Sequence, residues 1–253
     1  MSAFASGARS RGGEPGDDRD GDAHNEPHQG GVAGRLNWLR AGVLGANDGI
    51  VSVAGIVLGV AAATPRTGTI LTAGIAGLSA GAMSMAVGEY VSVSSQRDTE
   101  QALLAIERRE LLETPDQELA ELTQLYVDRG LSDDLAARVA EQLTARDALA
   151  AHAEVELGID PSALTQPWHA ALASLVAFVV GAVLPLLAIA LPPPGARVPV
   201  TVVAVVLALS ATGIISSRLG RAPWLPALLR NVTGGLVAMA VTYGIGSLFG
   251  TRI

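Results

Sequence analysis

The residues from Thr67 to Ser95 read TGTILTAGIAGLSAGAMSMAVGEYVSVSS, and Glu89 is the only charged side chain among them. The run exceeds the ~20 apolar residues that cross ~30 Å of hydrocarbon at 1.5 Å per residue, so it reads as a membrane-spanning helix. The chain then changes character: QRDTEQALLAIERRELLE, from Gln96 to Glu113, is densely charged. The expectation is a single helix that begins in the bilayer and continues past Arg97 into water.

Working outward, four further windows have the length and composition of spans: Ala41 to Ala63, Ala170 to Leu191, Val198 to Ser217 and Leu228 to Gly250. Asp48, Glu89 and Arg230 are the only charges inside the five windows. The fold class expected is an all-α membrane protein: five transmembrane helices with a three-helix cytosolic insert between helices two and three. Residues 1–34 are rich in Gly, Asp, Arg and Ser and read as a disordered tail, 35–96 as helices one and two, 97–160 as the insert, and 161–253 as helices three to five. In the tail, His24 and His28 near Asp22 and Glu26 read as solvated residues rather than a metal site. No signal peptide is expected, because no apolar core follows the N-terminus.

Composition excludes several classes. There is no cysteine, so disulfides, thiolate metal sites and cysteine nucleophiles are ruled out. There is no lysine either, which removes a phosphate-binding GxxxxGK loop and a Schiff-base lysine. Of 24 acidic residues, 16 lie between Asp98 and Asp160, a concentration that attracts cations and repels nucleic acid. With the N-terminal tail inside, 14 of the 17 arginines fall on the inner side, leaving Arg66, Arg197 and Arg252 outside. The positive-inside rule thus places the acidic insert in the cytosol.

Within the insert, Thr114 with Pro115 and Gln117 reads as a helix start, Gly130 as its end, and Ser132 with Asp133 and Asp134 as the start of a last helix running to Gly158. Trp168 and His169 mark the membrane interface where the third span begins. Gly45/Gly49, Gly55/Gly59, Gly77/Gly81 and Gly246/Gly250 read as close helix packing in a compact bundle or dimer, and Pro185 as a structural kink.

Candidate chemistry starts with Asp48. A carboxylate about ten residues inside a span costs ~2.5–3.5 kcal/mol unless it faces protein, water or a cation. The alternative is a hydrogen bond shared with Asn47 or Ser52. Met85 lies ~18 Å from Arg97, close to the ~15 Å that separates Asp48 from Trp38, so the two sit at one depth. Gly81, Met85 and Glu89 share a helical face, and thioether plus carboxylate suits Fe²⁺ or Mn²⁺ better than Mg²⁺ or Ca²⁺. In the insert, Glu107/Glu110 and Glu118/Glu121 are pairs one turn apart, where like charges repel unless a cation neutralises them. Such pairs are also common on solvated helices, and the pattern alone favours that plainer reading. His152 and Glu156, four apart, either complete such a cluster or stand as an ordinary exposed pair.

These stretches carry a resemblance. LRAGVLGANDGIVSVAGIVLGV from Leu39 to Val60, AGLSAGAMSMAVGEYVSVSSQRDTE from Ala76 to Glu100, and the acidic helices after them resemble the vacuolar iron transporter family, from about Arg35 to the C-terminus. The resemblance implies five-span homodimers that export ferrous iron, often manganese, from the cytosol in exchange for protons. It puts Asp48 and Met85 on the translocation site and Glu107, Glu110, Glu118 and Glu121 in a cytosolic metal-binding domain. Glu89, on one face with Met85, is expected on the path between. In the family's eukaryotic members the last metal-binding helix supplies a methionine followed by glutamates. Here the corresponding residues are Ala151, His152, Ala153, Glu154 and Glu156, of which Glu156 aligns well and His152 stands where the methionine would.

The functional expectation is a metal/proton antiporter for intracellular metal homeostasis. It has no prosthetic group, and its partners are Fe²⁺ or Mn²⁺, protons, the lipid bilayer and a second copy of itself. Arginine without lysine and abundant alanine point to a GC-rich bacterial genome and so to a plasma membrane. Two rivals stand beside it: a membrane-anchored metal sensor, and a ferritin-like di-iron oxidase. The oxidase would use ExxH motifs on bundle helices, and the sequence has none.

Overall fold

The computed structural model describes residues 32–250, with side chains from Ala41 onward. His24, His28 and nearly all of the expected tail lie outside the described residues, while Val32 to Gly34 already belong to the first helix. Seven α-helices follow in order: α1 Val32–Ala63, α2 Thr67–Glu113, α3 Pro115–Asp128, α4 Asp133–His152, α5 Pro167–Ala190, α6 Arg197–Leu219 and α7 Trp224–Gly250. There is no strand among the described residues. Five helices are long and apolar enough to cross a membrane, namely α1, α2, α5, α6 (with the short turn before it) and α7.

The spans pack around α1, which touches α2, α5, α6 and α7. Its Val53, Ala54, Val57 and Leu58 are buried with Phe178 of α5, Val205 and Leu209 of α6 and Met239 of α7. Val176, Val180, Leu207, Val237 and Val241 point outward, as side chains that meet lipid do. Water drives little of this association, so close backbone approach matters, and the small residues provide it. A Cβ on Gly49 would strike the Phe178 carbonyl, one on Gly181 the Ala46 carbonyl, and one on Gly246 the Gly59 carbonyl. The glycine pairs on α1 and α7 therefore hold helix interfaces together. Gly246→Val is expected to force α1 and α7 apart and to destabilise the fold by ~1–3 kcal/mol, read as a lowered midpoint of thermal unfolding in detergent.

Both ends of the bundle are tied. At one end the Arg197 guanidinium donates to the Thr67 hydroxyl at 2.8 Å, joining the α1–α2 turn to the start of α6. At the other, Tyr90 of α2 packs against Trp168 in a tilted arrangement with 4.7 Å between ring centroids, and Arg97 donates to the Gln166 side-chain oxygen at 3.4 Å. α5 thus begins level with residues 90–97 of α2, where the apolar part of α2 ends. α5 continues through the buried Pro185 as one helix.

Beyond that level α2 carries on to Glu113, and α3 and α4 fold back against it. Leu122, Ala140 and Ala151 form a small core there, packed by Leu119, Tyr126, Leu143 and Val155. α3 and α4 begin after Thr114 and Ser132 as expected, though neither side chain caps its helix, and the Thr114 hydroxyl donates back to the Glu110 carbonyl at 3.1 Å. One expectation needs correction: the last helix is not continuous to Gly158. Asp147 leaves helical geometry at φ −163°, ψ 93°, its carboxylate accepts from the Ala150 N–H at 3.0 Å to restart the helix, and Ala153–Leu157 then forms a π-helical turn closed by Gly158 at φ 65°.

Candidate metal centre

Three buried ligand side chains converge where α2, α3 and α4 meet. Glu107 lies on the inner face of the α2 extension, one turn beyond the buried Leu104. Glu118 sits in the first turn of α3, where a negative charge complements the helix dipole. His152 closes α4 and is 0% exposed, against 3% for Glu107 and 6% for Glu118. One donor atom from each of the three lies within 4.8 Å of the others, and among the described residues no other set of His, Asp and Glu does so.

His152 Nδ1 stands 3.0 Å from Glu107 Oε1 and 3.7 Å from oxygens of both Glu118 and Glu156. Despite that approach, Glu107 Oε1 and both ring nitrogens of His152 lack a hydrogen-bond partner. Buried polar atoms are normally paired, so donor atoms left facing each other mark a place for something between them. Neighbouring donors around a first-row divalent cation, with bonds near 2.1 Å at right angles, are separated by ~3.0 Å. The spacing fits such an ion.

The electrostatics agree. Burial, followed by the negative charges of Glu156, Glu118, Glu110 and Glu121, pushes the Glu107 carboxyl up to about 7. Glu118 is raised as well, first by burial and then by Glu121, with His152 pulling the other way. A cation would relieve both strains at once.

Of each glutamate pair, the structure turns one member inward. Glu110 and Glu121 are exposed and contribute repulsion to Glu107 rather than a place in the buried triad. Glu156 is exposed as a residue yet reaches the cluster from the π turn. In the bilayer, Asp48 is half-buried on α1 and accepts the Ser52 hydroxyl at 2.6 Å, while the Asn47 oxygen accepts from Thr212 at 2.6 Å. Met85 packs against the apolar core, and Glu89 is half-buried one turn nearer the insert. Asp48 and Glu89 are in no group of three His, Asp or Glu donors among the described residues. Sequence reasoning missed Asp147 and Arg129, which shape the arm bearing His152; an Asp inside an otherwise helical run was the only signal.

Five apolar helices with a carboxylate–histidine cluster built on the extension of the second define an integral membrane protein with a polar site outside the bilayer. A family model described as the VIT family matches residues 39–247, and the chain belongs to that family. It is 43% identical over 237 residues to a vacuolar iron transporter of Acanthamoeba castellanii, covering 90% of this chain and 83% of that protein. It is 38% identical to vacuolar iron transporter homolog 5 of Oryza sativa subsp. japonica, over 86% of this chain and 83% of that one. With vacuolar iron transporter homolog 4 of Arabidopsis thaliana it shares 37% identity over 86% and 87% of the two chains. Membership in a transporter family sets the oxidase reading aside: the chain is not an enzyme.

Proposed function

We propose that the chain exports Fe²⁺ or Mn²⁺ from the cytosol in exchange for protons, collecting the ion at Glu107, Glu118, His152 and Glu156 and passing it by Glu89 to Met85 and Asp48. The observation that carries this reading is the set of buried, unpaired donor atoms of Glu107 and His152 on the continuation of a membrane span. Imidazole with carboxylates is a borderline donor set that suits first-row transition ions. Glu110 and Glu121, exposed beside the cluster, draw cations towards it. The excess of arginine on the insert side supports a cytosolic insert. The relatives named for the vacuole come from eukaryotes; arginine-only basic composition leads us to place this chain in a bacterial plasma membrane. In either membrane the insert faces the cytosol.

Proton exchange has a physical basis in the same carboxylates, since a metal ligand must be deprotonated. Glu107 titrates at about 7, so the metal displaces a proton there near neutral pH. Mn²⁺ binding is expected to weaken as pH falls from 8 to 6, by up to about tenfold per pH unit below 7 for one released proton. Calorimetry in two buffers of different ionisation enthalpy checks this, and a pH-independent affinity counts against it. Transport itself is tested in liposomes with Fe²⁺, Mn²⁺, Zn²⁺ and Ca²⁺ compared under an imposed pH gradient. Flux of Fe²⁺ or Mn²⁺ that the gradient drives is the expected result, and flux indifferent to it would remove antiport from the reading.

A further inference from the structure

The π turn Ala153–Leu157 is the least regular helical piece of the insert, and it carries Glu156 directly after His152. It is separated from the regular part of α4 by the break at Asp147. Residues on this short arm divide by direction. His152 and Glu156 face the carboxylates of α2 and α3, whereas Ala151 and Val155 wall a cavity of about 610 Å³ together with Tyr126, Arg129 and Leu143. Ala151 and Val155 pack into the small core of the insert, while the break at one end, the wide turn at the other and the open volume beside it leave the end of the arm less constrained than the regular part of α4.

One long-range hydrogen bond adds to that packing. Arg129, at the end of α3, donates from its guanidinium to the Val155 carbonyl at 2.6 Å, across 26 residues of chain. Val155 lies in the last turn before Gly158, where helix carbonyls lack intrahelical donors and the dipole favours a cation. A guanidinium meets both needs with a charge-assisted bond. Its own direction is set by Tyr126, whose ring centre is 5.9 Å from the guanidinium carbon. α3 also carries Glu118, so the bond couples the element that holds one acid of the cluster to the arm that holds the imidazole.

We infer that Arg129 is a positioning residue for the metal centre: its bond to the Val155 carbonyl latches the 147–157 arm and so sets where His152 and Glu156 stand relative to Glu107 and Glu118. The inference rests on the reading of that cluster as a metal site. Nothing else in the insert gives Arg129 this task, and its side chain makes no ion pair among the described residues.

The test uses the full chain in lipid nanodiscs with Co²⁺ as the probe, followed by its visible absorption. Amide hydrogen exchange of the metal-free protein is measured alongside. Arg129→Gln is expected to weaken Co²⁺ binding about tenfold, the lower end of what loss of an outer-shell support costs. It is also expected to speed exchange across residues 150–157 while leaving 116–124 of α3 unchanged. Arg129→Lys, which keeps a charged donor, is expected to recover most of both losses. Wild-type affinity and exchange in Arg129→Gln, with binding lost in His152→Ala, overturn the latch and leave the metal site standing. Wild-type binding in both His152→Ala and Glu107→Gln overturns the metal site itself. Should Arg129→Gln fail to fold, Tyr126→Ala decides instead: removing the ring under the guanidinium is expected to shift both readouts the same way, about threefold in affinity, and no shift overturns the inference.

Discussion

The Asp48→Ala protein in liposomes is expected to transport Fe²⁺ or Mn²⁺ about 100-fold more slowly than wild type while binding the ion at the insert with undiminished affinity. A carboxylate at this depth costs ~2.5–3.5 kcal/mol on insertion scales, which is recovered only when it faces a protein donor, water or a cation. Ser52 supplies one hydrogen bond, to one of the two carboxylate oxygens. The cation supplies the rest in the transport reading. Without Asp48 the ion crosses the middle of the bundle with no formal countercharge, and a barrier raised by ~2.5–3.5 kcal/mol slows it by about two to three powers of ten. Asp48→Asn is the sharper control, because it keeps the Ser52 bond and the shape and removes only the charge. Unimpaired flux through either variant would take Asp48 out of the pathway.

Glu107→Gln is expected to move stability and binding in opposite directions. In the folded insert the Glu107 carboxyl holds its proton up to about pH 7, against 4.5 as the ordinary value. Between those limits the native state binds more protons than the unfolded chain, so stability falls as pH rises through this window and is fully retained below it. That loss is the cost of ionising a buried carboxyl, with four other acids adding to it. Glutamine cannot ionise, and the metal-free variant is expected to lose most of the drop in unfolding temperature that the wild type shows between pH 5 and pH 8, the remainder coming from Glu118. Loss of the ligand is expected to weaken Mn²⁺ binding about 100-fold or more, since glutamine offers a neutral oxygen in place of a charged one. A variant as pH-sensitive as wild type, or one binding Mn²⁺ equally well, contradicts the assignment.

The spans were legible because lipid leaves little choice. A run such as Ala170 to Leu191 has one reading, and α5 occupies it to within a turn. Glycine spacing was equally plain, and its ordinary meaning, close packing, holds at Gly49 and Gly246. The insert was legible in its elements but not in its detail. Glu107 and Glu110 look alike in sequence, and only the packing of α3 and α4 buries the first and leaves the second in water. His152 was ambiguous for the same reason: whether a histidine is exposed or enclosed depends on its surroundings. The break at Asp147 is the clearest case. ARDALAAH from Ala145 to His152 is good helix-forming sequence apart from Asp147, whose carboxylate caps the restarted helix at the Ala150 N–H, a local alternative to helix that propensity alone does not reveal.

α2 runs unbroken from Thr67 to Glu113, about 70 Å at 1.5 Å per residue. Glu107 and Glu89 are 18 residues apart on it, roughly 27 Å along a stiff rod, far beyond the reach of any side chain. In the transport reading, an ion leaving the cluster therefore travels through water before it meets the span. In that reading the insert then acts less like a hand passing an object than like a tethered reservoir, holding ions near the end of the bundle where α5 begins. Lengthening the rod by whole helical turns, without touching a ligand, would dilute that reservoir and lower the flux only when the metal is scarce.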